Sequence, residues 1–169
     1  NYLVLNLAGS FLIAFGVITI LMAFLFRSVK MALISVLPNI IPMMIMAAVL
    51  GFFQIPLRPS TAMTFAIAFG IATDDTLHYL TRYRMELADA DRHYRQANDA
   101  TLMGTGISMM STTTILVSGF FVLTLSEFTP TIQFGTLSAI TILSALVADL
   151  TFLPALLSLV KPKIGGGKG

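Results

Sequence analysis

The chain has 169 residues, 56% hydrophobic and 11% charged, with a mean hydropathy of +0.88. A soluble domain carries about 25% charged residues, so the composition excludes an ordinary soluble globule and points to an integral membrane protein. A net charge of +2 is too small to suggest nucleic acid, and the absence of cysteine excludes disulfides and thiolate-bound metals.

A membrane-crossing helix needs about 20 mostly apolar residues. Five stretches meet that need, over about 5–26, 31–53, 60–81, 104–125 and 132–160. The first follows neither an initiator Met nor a charged leader, so it does not read as a signal peptide, and the chain reads as a piece of a longer protein. Backbone polar groups must be paired inside lipid, and runs this long without strand-like alternation argue for helices. The expected fold is therefore an all-α integral membrane protein, with a five-transmembrane-helix bundle over 1–160.

In chain order, the first break is the short "RSVK". The second stretch contains "LPNIIP", whose Pro38 and Pro42 each remove a helix hydrogen bond and are expected to kink the span. After "QIPLRPS" comes the third stretch. The hydrophilic segment 82–103 follows it, with Tyr94, Ala97, Ala100 and Thr101 at the spacing of a buried stripe on a short cytoplasmic surface helix. The fourth stretch carries "SMMSTTT" and is closed by "SEFTP". Gly104, Gly106, Gly119 and Gly135 read as places where helices approach closely. The tail over 161–169, with "KIGGGKG", is low in complexity and is expected to be disordered.

Arg27, Lys30, Arg82, Arg84, Arg92, Arg95, Lys161, Lys163 and Lys168 fall on one side of this arrangement, against Arg58 alone on the other. Basic residues accumulate on the cytoplasmic side. The N-terminus is expected outside and the C-terminus in the cytoplasm, across an inner (cytoplasmic) membrane.

The chemistry concentrates in the third stretch. Asp74 and Asp75 follow an uncharged run from Pro59 to Thr73. A charged Asp at the bilayer centre costs about 2.5–3.5 kcal/mol on insertion scales, and such residues mark ion, proton or substrate paths. Two neighbouring carboxylates titrate as a unit, which suits a proton carrier. His78 and Arg82 repeat at i+4 and i+8 from Asp74, on the same helix face. His78 either extends a proton route or caps the acids near the interface. Gly70, one turn earlier, is expected to let a partner helix come close.

Counted at 1.5 Å per residue, Asp74 and Asn39 lie about 12 Å inside the cytoplasmic ends of their spans. Ser111, Thr112, Thr113 and Thr114 lie about 9–13 Å in, and Asp149 about 17 Å. These residues are expected to form one supporting polar layer, although each hydroxyl has its own i−4 carbonyl as a competing partner. Asp149 is open between a second proton site and a packing anchor. No metal site and no catalytic motif such as HExxH is present, so neither a bound cofactor nor an enzymatic activity is expected.

The motif "GIATDD" (Gly70 to Asp75), followed by "HYLTRYRMEL", resembles the GxxxDD helix of the resistance–nodulation–division (RND) superfamily, in its exporter-like branch with MMPL and hopanoid-transporter proteins. "FLFRSVKMALISVLPNIIPMMIMAAVLGFFQIPL" is similar to that family's first loop and second helix. "SGFFVLTLSEFTPTIQFGTLSAITILSALVADLTFLPALL" is similar to its last two helices. The resemblance implies a sterol-sensing-domain-like half of a transporter, and this chain looks like the C-terminal repeat. It implies that Asp74 and Asp75 form a proton relay driving outward movement of lipids or other hydrophobic and amphiphilic molecules. It also implies protons as the coupling ion, and an N-terminal repeat and porter domains of the same full-length protein as partners. Membrane lipids and a hydrophobic substrate complete the expected partners, with homo-oligomerisation open and no nucleic acid. Thr73 stands where a Val is common before the acids. A non-transporting sterol- or lipid-sensing module and a SecD/SecF-type protein-export component share the five-helix pattern and stand as alternatives.

Overall fold

The structure is a computed structural model that describes residues 2–56, 58–88 and 93–160. It is helical throughout its ordered elements. Helix α1 covers Tyr2–Phe26, α2 Val29–Phe52, α3 Pro59–Ala88, α4 Tyr94–Thr101, α5 Ile107–Val122 and α6 Thr129–Val160. A π-helical segment, Leu102–Gly106, joins α4 to α5, and a 3-10 turn, Leu123–Leu125, ends α5. The tail over 161–169 lies outside the described residues.

Three stretches are long and apolar enough to cross a membrane by length and composition: Lys30–Phe52, Tyr94–Leu125 and Thr129–Val160. Leu12–Phe26 is a shorter apolar helix. Helix α3 has 30 residues, a length of about 45 Å, against a hydrocarbon core of about 30 Å. Its C-terminal turns carry Arg82, Arg84 and Glu86, and α3 is not among the helices long and apolar enough to cross by composition.

Local chemistry sets the ends of these helices. Ser28 has extended backbone (φ −154, ψ 117), and its hydroxyl accepts from Met31 N at 3.5 Å to start α2. Gln54 closes α2 in the left-handed region (φ 50). Gln54 N donates to Gly51 O at 3.3 Å and Ile55 N to Leu50 O at 2.9 Å, the paired bonds of a Schellman cap. Ile55 also packs against the cluster that contains Leu50 and Met46, the apolar contact that accompanies such a cap. Both prolines of "LPNIIP" lie inside the continuous α2.

Helix α6 is the centre of the bundle and packs against α2, α3 and α5. It buries Gly135, Ser138, Ala139, Thr141, Ala145 and Ala148. Small residues let helices approach where lipid offers no hydrophobic drive for association. At Gly135 a Cβ would stand 2.5 Å from Phe120 O and 2.9 Å from Leu123 Cβ. At Gly106 it would meet Leu150 Cδ2 at 3.3 Å, whereas at Gly104 and Gly119 it would meet nothing within 4 Å. Close packing thus falls on two of the four glycines expected to provide it.

The hydrophilic segment expected over 82–103 is not one surface element. Residues 82–88 are the last turns of α3. From Tyr94 the chain is helical without a break through the π segment into α5. The stripe itself forms: Ala97 and Thr101 are buried, and Tyr94 packs on the core around Tyr79, Tyr83 and Leu157. That packing draws the segment into the bundle end, between α3 and α6.

Candidate functional site

Helix α3 presents polar groups on two faces. Asp74 and Thr76 are two residues apart, roughly 200° of rotation, so they point to opposite sides.

On the first face, His78 Nε2 lies 3.6 Å from Asp74 Oδ1, and the two side chains are 70% and 67% exposed. Asp75 is half-buried beside them. A groove of about 880 Å³ runs along this face, bounded across from the acids by Gly104, Thr105, Ser108 and Thr112. The π segment therefore forms part of its wall; such segments are frequent at functional sites. Toward the helix end, Arg82 Nη2 pairs with Glu86 Oε1 at 2.6 Å. Arg84 stacks over Phe26 at 5.7 Å and reaches Leu25 O at 3.5 Å.

The second face is a stripe of buried residues that includes Thr61, Thr64, Ala68, Ala72, Thr76, Tyr79 and Tyr83. Here Thr76 Oγ1 lies within hydrogen-bond distance of both Asp149 Oδ1, at 2.8 Å, and Ala72 O, at 3.0 Å. Asn39 Nδ2 donates to Thr76 Oγ1 at 3.3 Å and to Ser35 O at 2.8 Å. Helices α2, α3 and α6 are thus joined through one hydroxyl. Asp149 is 1% exposed, and its Oδ2 has no hydrogen-bond partner among the described residues. Nearer the helix ends, Tyr79 Oη donates to Asn98 Oδ1 at 3.0 Å, and Asn98 Nδ2 donates to Pro154 O at 3.3 Å.

The expected single polar layer is therefore two separate groups. Asp74, Asp75, His78 and Thr112 share the groove. Asn39 and Asp149 lie on the other side of α3, brought together by Thr76. Ser111, Thr112 and Thr114 are exposed and bond their own helix at Ile107 O, Ser108 O and Met110 O, the local competition open to short hydroxyls. Thr113 is buried, and its Oγ1 has no partner among the described residues.

Gly70 is not a close-approach point within this chain. It is exposed, and a Cβ there would meet nothing within 4 Å, because it shares the open face of Asp74 and His78. Thr76, Tyr79 and Asn98 were not among the candidates drawn from the sequence. For Thr76 and Tyr79 the signal was the buried spacing of α3, which runs opposite to the acid face. No group of three His, Cys, Asp or Glu side chains that could hold a metal occurs among the described residues.

Comparison with known proteins adds two findings. A family model described as "MMPL family" matches residues 6–164. A Methanocaldococcus jannaschii protein described as a membrane protein is 29% identical over 142 residues, covering 84% of this chain and 36% of that protein. The chain thus spans about a third of the length of this curated relative. No solved structure matches.

Proposed function

This chain belongs to the MMPL family and is an RND-type, transporter-like multi-pass membrane protein; we propose that it is the membrane half of a proton-driven exporter of lipids or other amphiphiles. The observation that supports this is the open acid face. Asp74 and His78 are mostly exposed in a membrane protein, and Asp75 stands next to them. Charged groups do not face lipid but a bundle interior or a water-filled cavity. The groove beside Asp74 and Asp75 can hold water, and the rest of a longer protein can complete its outer side.

In that setting the two carboxylates take up protons as a unit. His78, one turn away, leads toward the basic end of α3 at Arg82. Moving one charge through 100 mV is worth about 2.3 kcal/mol, on the scale of holding one acid inside a bilayer. The bias of basic residues supports an orientation with the N-terminus outside and the C-terminus in the cytoplasm. The exported molecule is recognised by parts of the protein beyond this chain.

The test is Asp74→Asn with Asp75→Asn in the full-length protein, reconstituted into vesicles with an imposed proton gradient. Amphiphile export is expected to fall to background while insertion and thermal stability persist. Export at the wild-type rate would overturn the relay. Unchanged export on collapse of the proton gradient would overturn proton coupling itself.

A further inference from the structure

We propose that Asp149 is a second proton-binding site, separate from the groove, whose state is read by the Thr76 hydroxyl and so passed to α3.

Thr76 Oγ1 carries one proton and two lone pairs, yet three groups lie within bonding distance: Ala72 O, Asp149 Oδ1 and Asn39 Nδ2. If Asp149 is ionised, Thr76 spends its proton on Oδ1. The buried Oδ2 then carries negative charge with no donor. If Asp149 is protonated, its O–H donates to Thr76 across the same 2.8 Å. Thr76 then donates to Ala72 O and still accepts from Asn39. Every donor is placed, every position on Thr76 is filled, and what remains is one neutral carbonyl-type oxygen.

A buried charge without a partner is far more expensive than a buried neutral acceptor. Among the described residues, the surroundings supply no counter-charge. Asp149 is the one ionisable residue of α6, and α5 and the π segment have none. Helix α2 has only Lys30, in its first turn, and α4 has Tyr94, Arg95 and Asp99. On α3 the groups within electrostatic reach are Asp75 and Tyr79, neither of which is a cation. The proton is therefore held in the packed state. Its release to water turns the Thr76 hydroxyl from its own helix to the carboxylate. The change reverses the existing bond between α3 and α6 and makes it charge-assisted, directly beside Asp75. This assignment deepens the proton-coupled reading; it rests on that reading for its purpose in transport, but not for the presence of the proton.

The experiment is infrared difference spectroscopy of the full-length protein in vesicles, read at the protonated-carboxyl band. A band at neutral pH is expected, lost in Asp149→Asn and kept in Asp74→Asn with Asp75→Asn. In Thr76→Val the band is expected to move to higher frequency, and in Thr76→Ser to return. If Asp149→Asn does not fold, the Thr76 pair still decides. Absence of an Asp149-dependent band, or a band unmoved by Thr76→Val, overturns the proposal. Loss of the band on adding sodium at constant pH overturns it as well, by making the site a sodium site. Export that survives Asp74→Asn with Asp75→Asn would sink the groove relay and leave this band untouched, so the two failures are distinguishable.

Discussion

At Tyr79 a single hydroxyl holds three helices in register, because Asn98 takes its proton and passes an N–H on to Pro154 O. A typical intramolecular hydrogen bond contributes about 0.5–1.5 kcal/mol, and removing one partner of a buried pair adds the cost of the group left behind. Tyr79→Phe is expected to lower stability by about 1–2 kcal/mol, read as an earlier thermal transition in detergent. An unchanged transition would show that α4 is held by its apolar stripe alone. The residue scale also separates what sequence can show from what it cannot. Asp74, Asp75 and His78 stand out because charge is rare in such a chain, and their i+4 spacing correctly puts Asp74 and His78 on one face. Thr76 does not stand out, since this chain has many threonines. Its importance comes from Asn39 and Asp149, which are 37 and 73 residues away in sequence.

The elements behave as apolar periodicity requires, with differences where packing intervenes. Gly135 and Gly70 look alike in sequence, each a glycine in an apolar helix. At Gly135 an added Cβ would collide with the carbonyl of Phe120, so Gly135→Ala is expected to cost about 1–3 kcal/mol, as over-packing does. Gly70→Ala should leave stability unchanged or raise it by up to about 1 kcal/mol, since glycine weakens a helix interior. Equal melting of the two variants would contradict the close α5–α6 crossing. The π segment is a second case. Deleting Met103 would let the chain run as a plain α-helix with α4 and α5 nearly in register, because a π turn absorbs about one extra residue. The widened turn at Gly104 and Thr105 would be lost from the groove wall, so export is expected to fall in a protein that still inserts. Wild-type export by that variant would remove the π segment from the mechanism. No composition rule foretold the segment, because it depends on fitting α4 and α5 to the same neighbours.

At the largest scale, the lack of cysteine within these 169 residues lets single introduced thiols test the topology of this part. Arg58→Cys is expected to react with a membrane-impermeant thiol reagent on intact cells. Lys30→Cys is expected to react only after permeabilisation. The reverse pattern would invert the orientation drawn from the basic residues. The class of the protein, its helical character, its family and its acid pair were all settled by the amino-acid order. They follow from composition, from span length and from one short motif, which are local properties. Tertiary structure alone decided which side of α3 each polar residue serves. A helical period assigns residues to faces but says nothing about the neighbour each face meets. The acids of "GIATDD" therefore line an open groove, while Asp149, similar in depth along the chain, is enclosed behind them by the packing of α2, α3 and α6.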